Sequence, residues 1–170
     1  MFSKSLSIAA IALLMTACAG TAVRTAGPNT ASTAGALTVR SIEARVSPKA
    51  KEQLPENIKF DLDALSSTVE RAIAASNLKD GAAANTLDVE ITNVYIRATF
   101  SAVMFGIFAG PDNISGNVRV LDAGGSVLRS FDVSASYGFG GFAGGQDSVR
   151  INYLYEKFAE LTRDQLRDQR

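Results

Sequence analysis

Apolar residues recur along this chain with two different periods, and the changes between them predict its elements. Leu37–Val46 alternates imperfectly, with Val39 on one phase and Ile42, Ala44 and Val46 on the other, the pattern of a strand with an irregularity. Pro48 and Pro55 stand among charges across 47–60, which predicts a loop. Asp61 is placed to cap a helix reaching about Asn77, because Leu62, Leu65, Val69, Ala72 and Ile73 share one face at helical spacing. Thr86–Thr99 alternates Leu87, Val89 and Ile91 against Asp88, Glu90 and Thr92. Its phase then moves to Val94, Ile96 and Ala98, as a bulge near Asn93 would produce. Ile114–Leu121 and Val127–Tyr137 alternate on either side of Ala123-Gly124-Gly125, which predicts a hairpin. Asp147 is placed to cap a final helix whose stripe is Ile151, Leu154, Tyr155, Phe158, Leu161, Thr162 and Leu166.

The predicted order is β-α-β-β-β-α. A right-handed crossover lays the first strand parallel to the second, and the last three strands form an antiparallel meander. Each helix has a single apolar stripe, so both are expected on one face of a mixed four-stranded sheet. The fold class is therefore α+β, a two-layer sandwich. In this topology the segments after the second and fourth strands leave at one end, and the loop carrying Pro48 and Pro55 joins them there. The chain ahead of the first strand is expected at the opposite end.

The N-terminal pattern is of another kind. Lys4 precedes an apolar run through Leu6, Ile8, Ile11, Leu13 and Leu14, and the small residues Thr16 and Ala17 follow. This is the layout of a secretory signal, too short to cross a bilayer of ~30 Å as a helix. Leu14-Met15-Thr16-Ala17-Cys18 resembles the bacterial lipobox, with Met15 where leucine is commonest. The resemblance implies cleavage before Cys18 and acylation of its thiol and of the new N-terminus. Ala17-Cys18-Ala19 also fits ordinary cleavage after Ala19. Residues 1–17 are thus expected to be a lipoprotein signal, 18–36 the lipidated cysteine with a flexible tether, and 37–170 one periplasmic domain. The tether is Thr, Ala, Gly and Ser with one charge at Arg24, too little bulk to order itself, and would reach roughly 20–25 Å. Ala19 follows the cysteine where an inner-membrane retention signal would show Asp. By that analogy the protein belongs to the outer membrane, anchored on its periplasmic face.

Composition narrows the chemistry. The 170 residues include 17 basic and 17 acidic side chains, one cysteine and no histidine. No intrachain disulfide and no Cys/His metal centre can form, and the usual general base near neutral pH is missing. Arg163, Arg167 and Arg170 alternate with Asp164 and Asp168 at the end of the last helix, where cations suit the helix dipole. No nucleic acid is expected as a partner, since such binders gather basic residues into a patch. Asp61 with Asp63 and Asp88 with Glu90 are carboxylate pairs, read as a helix cap and a solvated strand face. No enzyme activity, metal or cofactor is expected.

Two segments resist this scheme. ATFSAVMFGIFAG, from Ala98 to Gly110, carries no charge, and YGFGGFAGG, from Tyr137 to Gly145, joins three aromatics to five glycines. The second loosely imitates a dinucleotide loop, but no strand and acidic residue follow it, as that motif needs. Topology places Phe100, Val103, Met104, Phe105, Ile107, Phe108, Phe139 and Phe142 on one rim. Three readings stay open for them: a cap on the core, a surface for a protein partner, or a membrane contact.

The chain from Leu37 to Leu166 has further short motifs: Gly106 and Gly110 in a Gly-x-x-x-Gly stretch, Val120-Leu121-Asp122-Ala123-Gly124, Ser126-Val127-Leu128, and Phe158-Ala159 in the last helix. With the lipobox, these resemble small Gram-negative lipoproteins catalogued as a domain of unknown function. That family is similar in fold to the N-terminal domain of the Tol-system propeller protein and to the curli-secretion lipoprotein. The resemblance implies a periplasmic α+β module acting by binding, with no catalytic residues to carry over. The function expected is a non-enzymatic lipoprotein that binds an envelope protein partner. The alternative is an oligomeric secretion or pore component that inserts apolar loops.

Overall fold

A computed structural model of the protein describes residues 20–24, 35–98, 110–138 and 146–167. The elements run β1 (Gly20–Arg24), β2 (Ser41–Val46), α1 (Pro48–Gln53), α2 (Leu62–Ala74), β3 (Thr86–Tyr95), β4 (Asp112–Leu121), β5 (Val127–Tyr137) and α3 (Asp147–Leu166). One five-stranded sheet has the order β1-β5-β4-β3-β2. β2 lies parallel to β3, and the other neighbours are antiparallel. The α+β class and the crossover-plus-meander topology are those expected, with the register shift of β3 falling between Ile91 and Asn93.

The expected four strands and two helices become five and three among the described residues. Pro48 and Pro55 were read as loop signals, but Pro48 opens α1, where its missing N–H leaves nothing unsatisfied and Ser47 Oγ accepts from Ala50 N at 3.2 Å. Gly20–Arg24 was assigned to the tether because it lacks bulk. An edge strand draws on its neighbour's ladder rather than on its own apolar area, and small residues are what this position requires. A Cβ on Gly20 would lie 2.8 Å from Leu161 Cδ1 of α3 and 3.1 Å from the Ser134 carbonyl. The strand starts at the end where β5 closes, since Gly20 pairs with Ala135 and Arg24 with Phe131. The chain leading into β2 lies at the opposite end as expected, with Leu37 N donating to the Leu166 carbonyl at 2.9 Å. Finally, Asp147 is the first helical residue of α3 rather than its cap, a place taken by Gln146.

The core lies between the helices and the inner phase of the sheet. Along β4 the alternation is regular: Asp112, Ile114, Gly116, Val118 and Val120 are buried, and the residues between them are half-exposed. Gly116 lets α3 pack close, because a Cβ there would lie 3.1 Å from Phe158 Cζ and 2.9 Å from the Glu90 carbonyl. Arg129, on the inner phase of β5, donates to the carbonyls of Gln165 at 2.6 Å and Gly35 at 3.0 Å, and so satisfies the C-terminal end of α3. Asp61 caps α2 as expected, accepting from Ala64 N at 3.0 Å. Its own N–H donates to the Tyr155 hydroxyl at 2.8 Å, which ties α2 to α3.

Burial pushes the Tyr155 phenol above its ordinary value near 10. A raised acid keeps its proton more tightly when folded, so its contribution is intact below pH ~10 and is lost as pH climbs further. Tyr155→Phe should therefore lower stability by about 1 kcal/mol at pH 7. It should also flatten the alkaline loss, as urea unfolding at pH 7 and above pH 10 would show. Gly116→Val should destabilise by about 1–3 kcal/mol through overpacking against Phe158, measured in the same way.

Candidate functional site

β3 and β5 finish at the same end of the sheet where β4 begins, so the roots of segments 99–109 and 139–145 lie together. Past Ile91, β3 outruns β2, and its backbone there needs other partners. The loop after β2 supplies them: Gln53 Oε1 accepts from Val94 N at 2.9 Å and Asn57 Oδ1 from Ile96 N at 2.6 Å. The element carrying Pro48 and Pro55 thus reaches this end, as the parallel pairing requires.

A buried ionic network fastens the roots to one another. Asp112, with no exposed surface, accepts from Arg97 N at 2.7 Å, Arg97 Nε at 3.2 Å, Arg97 Nη2 at 3.1 Å and Arg150 Nη1 at 2.8 Å. Arg150 Nη2 donates to the Arg97 carbonyl at 3.1 Å and to Asp147 Oδ1 at 2.6 Å. Lys59 pairs with Asp147 from the α1–α2 connection, and Arg97 Nη2 reaches the Tyr137 carbonyl at 3.4 Å. Arg97 precedes the first apolar segment and Asp112 follows it, while Tyr137 and Asp147 flank the second. Ionised groups out of water are tolerated only when geometry and hydrogen bonds satisfy them, and four donors on one carboxylate meet that condition.

Apolar surface gathers at this end. Among the described residues Ile58, Tyr95 and Val149 are large apolar side chains left 82%, 47% and 55% exposed. A cavity of about 240 Å³ opens beside Ile58 and is lined by Asn57, Lys59, Ile96, Arg97 and Ala98. The face of the sheet away from the helices is polar instead. There Asn113 donates to Ser134 Oγ and Ser136 Oγ, and Asn117 to Asp132. Asp88, expected to be a solvated carboxylate, is only 3% exposed and is held by Arg45 and by Arg119 Nη2 at 2.5 Å. Cross-strand neighbours of opposite charge cover it.

The sequence-predicted rim residues Phe100, Val103, Met104, Phe105, Ile107, Phe108, Phe139 and Phe142, and the lipidation candidate Cys18, lie outside the described residues. Their flanks are described, and those of 99–109 and 139–145 converge as the topology required. Sequence reasoning missed Arg97, Asp112 and Arg150. A signal was present for Asp112, which takes the inward phase of Ile114, Val118 and Val120, and for Arg150, beside Ile151 and one turn before Leu154.

A two-layer α+β domain with one end fastened by buried charge is the class of protein so defined. The sequence profile of "Domain of unknown function (DUF4410)" matches residues 28–141, and the chain belongs to that family. Comparison with curated protein sequences finds no match. Among solved structures, two dodecamers of PelC from Paraburkholderia phytofirmans have this fold. A single-substitution variant matches with a TM-score of 0.52 at 14% identity, over 89% of this chain and 100% of that one. The other matches at 0.50 and 15% identity over the same shares. At such identity the likeness concerns fold alone.

Asp112→Ala should lower stability by about 3–5 kcal/mol in urea unfolding, because it takes the shared carboxylate from two buried guanidinium groups and leaves Asp147 as the carboxylate on Arg150. Hydrogen exchange at Ile96–Ala98 and at Ser136–Gly138 should rise together. A rise at only one root would mean that the two are fastened separately.

Proposed function

We propose that this protein is a non-enzymatic, lipid-anchored module on the periplasmic face of the outer membrane. It binds an envelope protein partner through the end of the domain that bears the two apolar segments. The observation that carries this reading is the network around Asp112, which holds the roots of both segments at one end. Stretches without charge are expensive to leave in water unless something covers them. The lipobox-like Leu14–Cys18 would supply the anchor and the destination. Against catalysis stand the absence of histidine and the engagement of Asp61 as a cap and Asp88 in ion pairs. The anchored membrane and an envelope protein are the partners, with no nucleic acid.

A second reading has one observation in its favour: PelC, of the same fold, is described as a dodecamer. On that reading this chain is an oligomeric secretion or pore component whose apolar segments enter the membrane.

The intact mass of membrane-extracted protein should match residues 18–170 plus acyl chains, and Cys18→Ala should lose both the lipid and the membrane fraction. A photo-crosslinker at Phe105 or Phe139 should capture an envelope protein, whereas one at Gly124, at the far hairpin turn, should not. Light scattering of the detergent-extracted protein should give a monomer for the partner-binding reading and a ring for the second. Phe105→Asp should leave thermal stability unchanged, and a collapsed fold would mean that this residue caps the core.

A further inference from the structure

The anchor and the apolar end lie on the same side of the domain. Gly20 pairs with Ala135, two residues before β5 finishes at Tyr137, so β1 starts at the end where segments 99–109 and 139–145 are rooted. Cys18 precedes Gly20 by two residues, a span of at most ~7 Å. The acyl chains on Cys18 therefore begin within reach of that end. The hairpin turn at Gly124 lies roughly 27 Å away along β5, at about 3.3 Å per residue. A free tether of some 17 residues would let the domain tumble at roughly 20–25 Å from the lipid. Docking of β1 removes that freedom, and Ala22, packed against the core, holds the strand in place.

We infer that β1 acts as an orienting strap: it seats the domain on the bilayer with Ile58, Tyr95 and Val149 turned toward the lipid and the Gly124 turn toward the periplasm. Three of the four exposed large apolar residues among those described are at this end. An aromatic ring with a polar tip and branched aliphatic side chains suit the headgroup–acyl boundary. Without its protein partner this end rests on the membrane surface, and the partner meets it there, at membrane level. The inference rests on acylation at Cys18, as proposed above.

The test uses acylated full-length protein in vesicles of phosphatidylethanolamine and phosphatidylglycerol. Cys18 is the chain's single cysteine and is occupied by lipid, so Ile58→Cys, Tyr95→Cys, Val149→Cys and Gly124→Cys can each carry one environment-sensitive fluorophore. The three labels at the apolar end should be quenched several-fold more by lipids brominated on their acyl chains than the label at Gly124. Adding Ala22→Asp, which places a carboxylate on the inner side of β1, should shrink that difference while the thermal transition of the remaining core persists. Equal quenching at all four sites in protein whose mass includes acyl chains would overturn the strap. So would labels at positions 58, 95 and 149 that are shielded from aqueous iodide yet untouched by brominated lipid, since another copy of the chain would then cover that end. A mass without acyl chains would refute the anchor itself, and is read before any quenching.

Discussion

A carboxylate that cannot reach water must be surrounded by donors, and one end of this domain is arranged around that requirement. Asp112 has four, from Arg97 and Arg150, and these come from the end of β3 and the first turn of α3. Removing Asp112 would take the shared carboxylate from both buried guanidinium groups, so the three segments hold one another in place. Such a network is a poor source of net stability, because desolvation offsets much of its Coulomb energy. What it supplies is geometry. Glycine-rich and uncharged segments have little of their own to fix where they leave a domain, and here their roots are fixed by the charges around them.

The opposite end uses the same device in a milder form. Arg129 points into the core side of β5 and donates to the terminal carbonyls of α3 and to Gly35, so the long helix has a buried arginine at each end. Between the two, Gly116 lets Phe158 settle directly on the sheet. The helix is thereby positioned along its length by charge and across its width by the absence of a side chain. With α3 so placed, only a residue without a side chain fits beneath Leu161, and β1 places Gly20 there.

That edge strand alters what the rest of the architecture can be used for. A two-layer sandwich on a long tether presents every surface equally to its surroundings. The same sandwich with its first strand pinned beside β5 has a defined top and bottom relative to whatever holds its N-terminus. Its open face is polar, with hydroxyl and amide side chains satisfying one another across β4 and β5. Membership in the DUF4410 family and the fold shared with PelC extend the architecture to other proteins, and a shared fold does not by itself fix function.

The α+β class, the parallel crossover, the meander and the bulge of β3 were legible in the sequence. Those depend on periodicity and on turn residues, which are local properties that a chain displays residue by residue. The sequence also showed that the roots of the two apolar segments share an end, because that follows from strand order alone. It did not determine the fifth strand, because Gly20–Arg24 has no pattern of its own and is held by hydrogen bonds that only β5 can offer. Nor did it reveal α1, where Pro48 breaks a loop reading only once Ser47 is seen to cap it. The buried charges were visible as Asp112 and Arg150 on apolar phases, but their meaning depended on which strand and helix would be neighbours. Pairing between residues 15 to 53 positions apart is a property of the folded chain, and tertiary structure alone decides it.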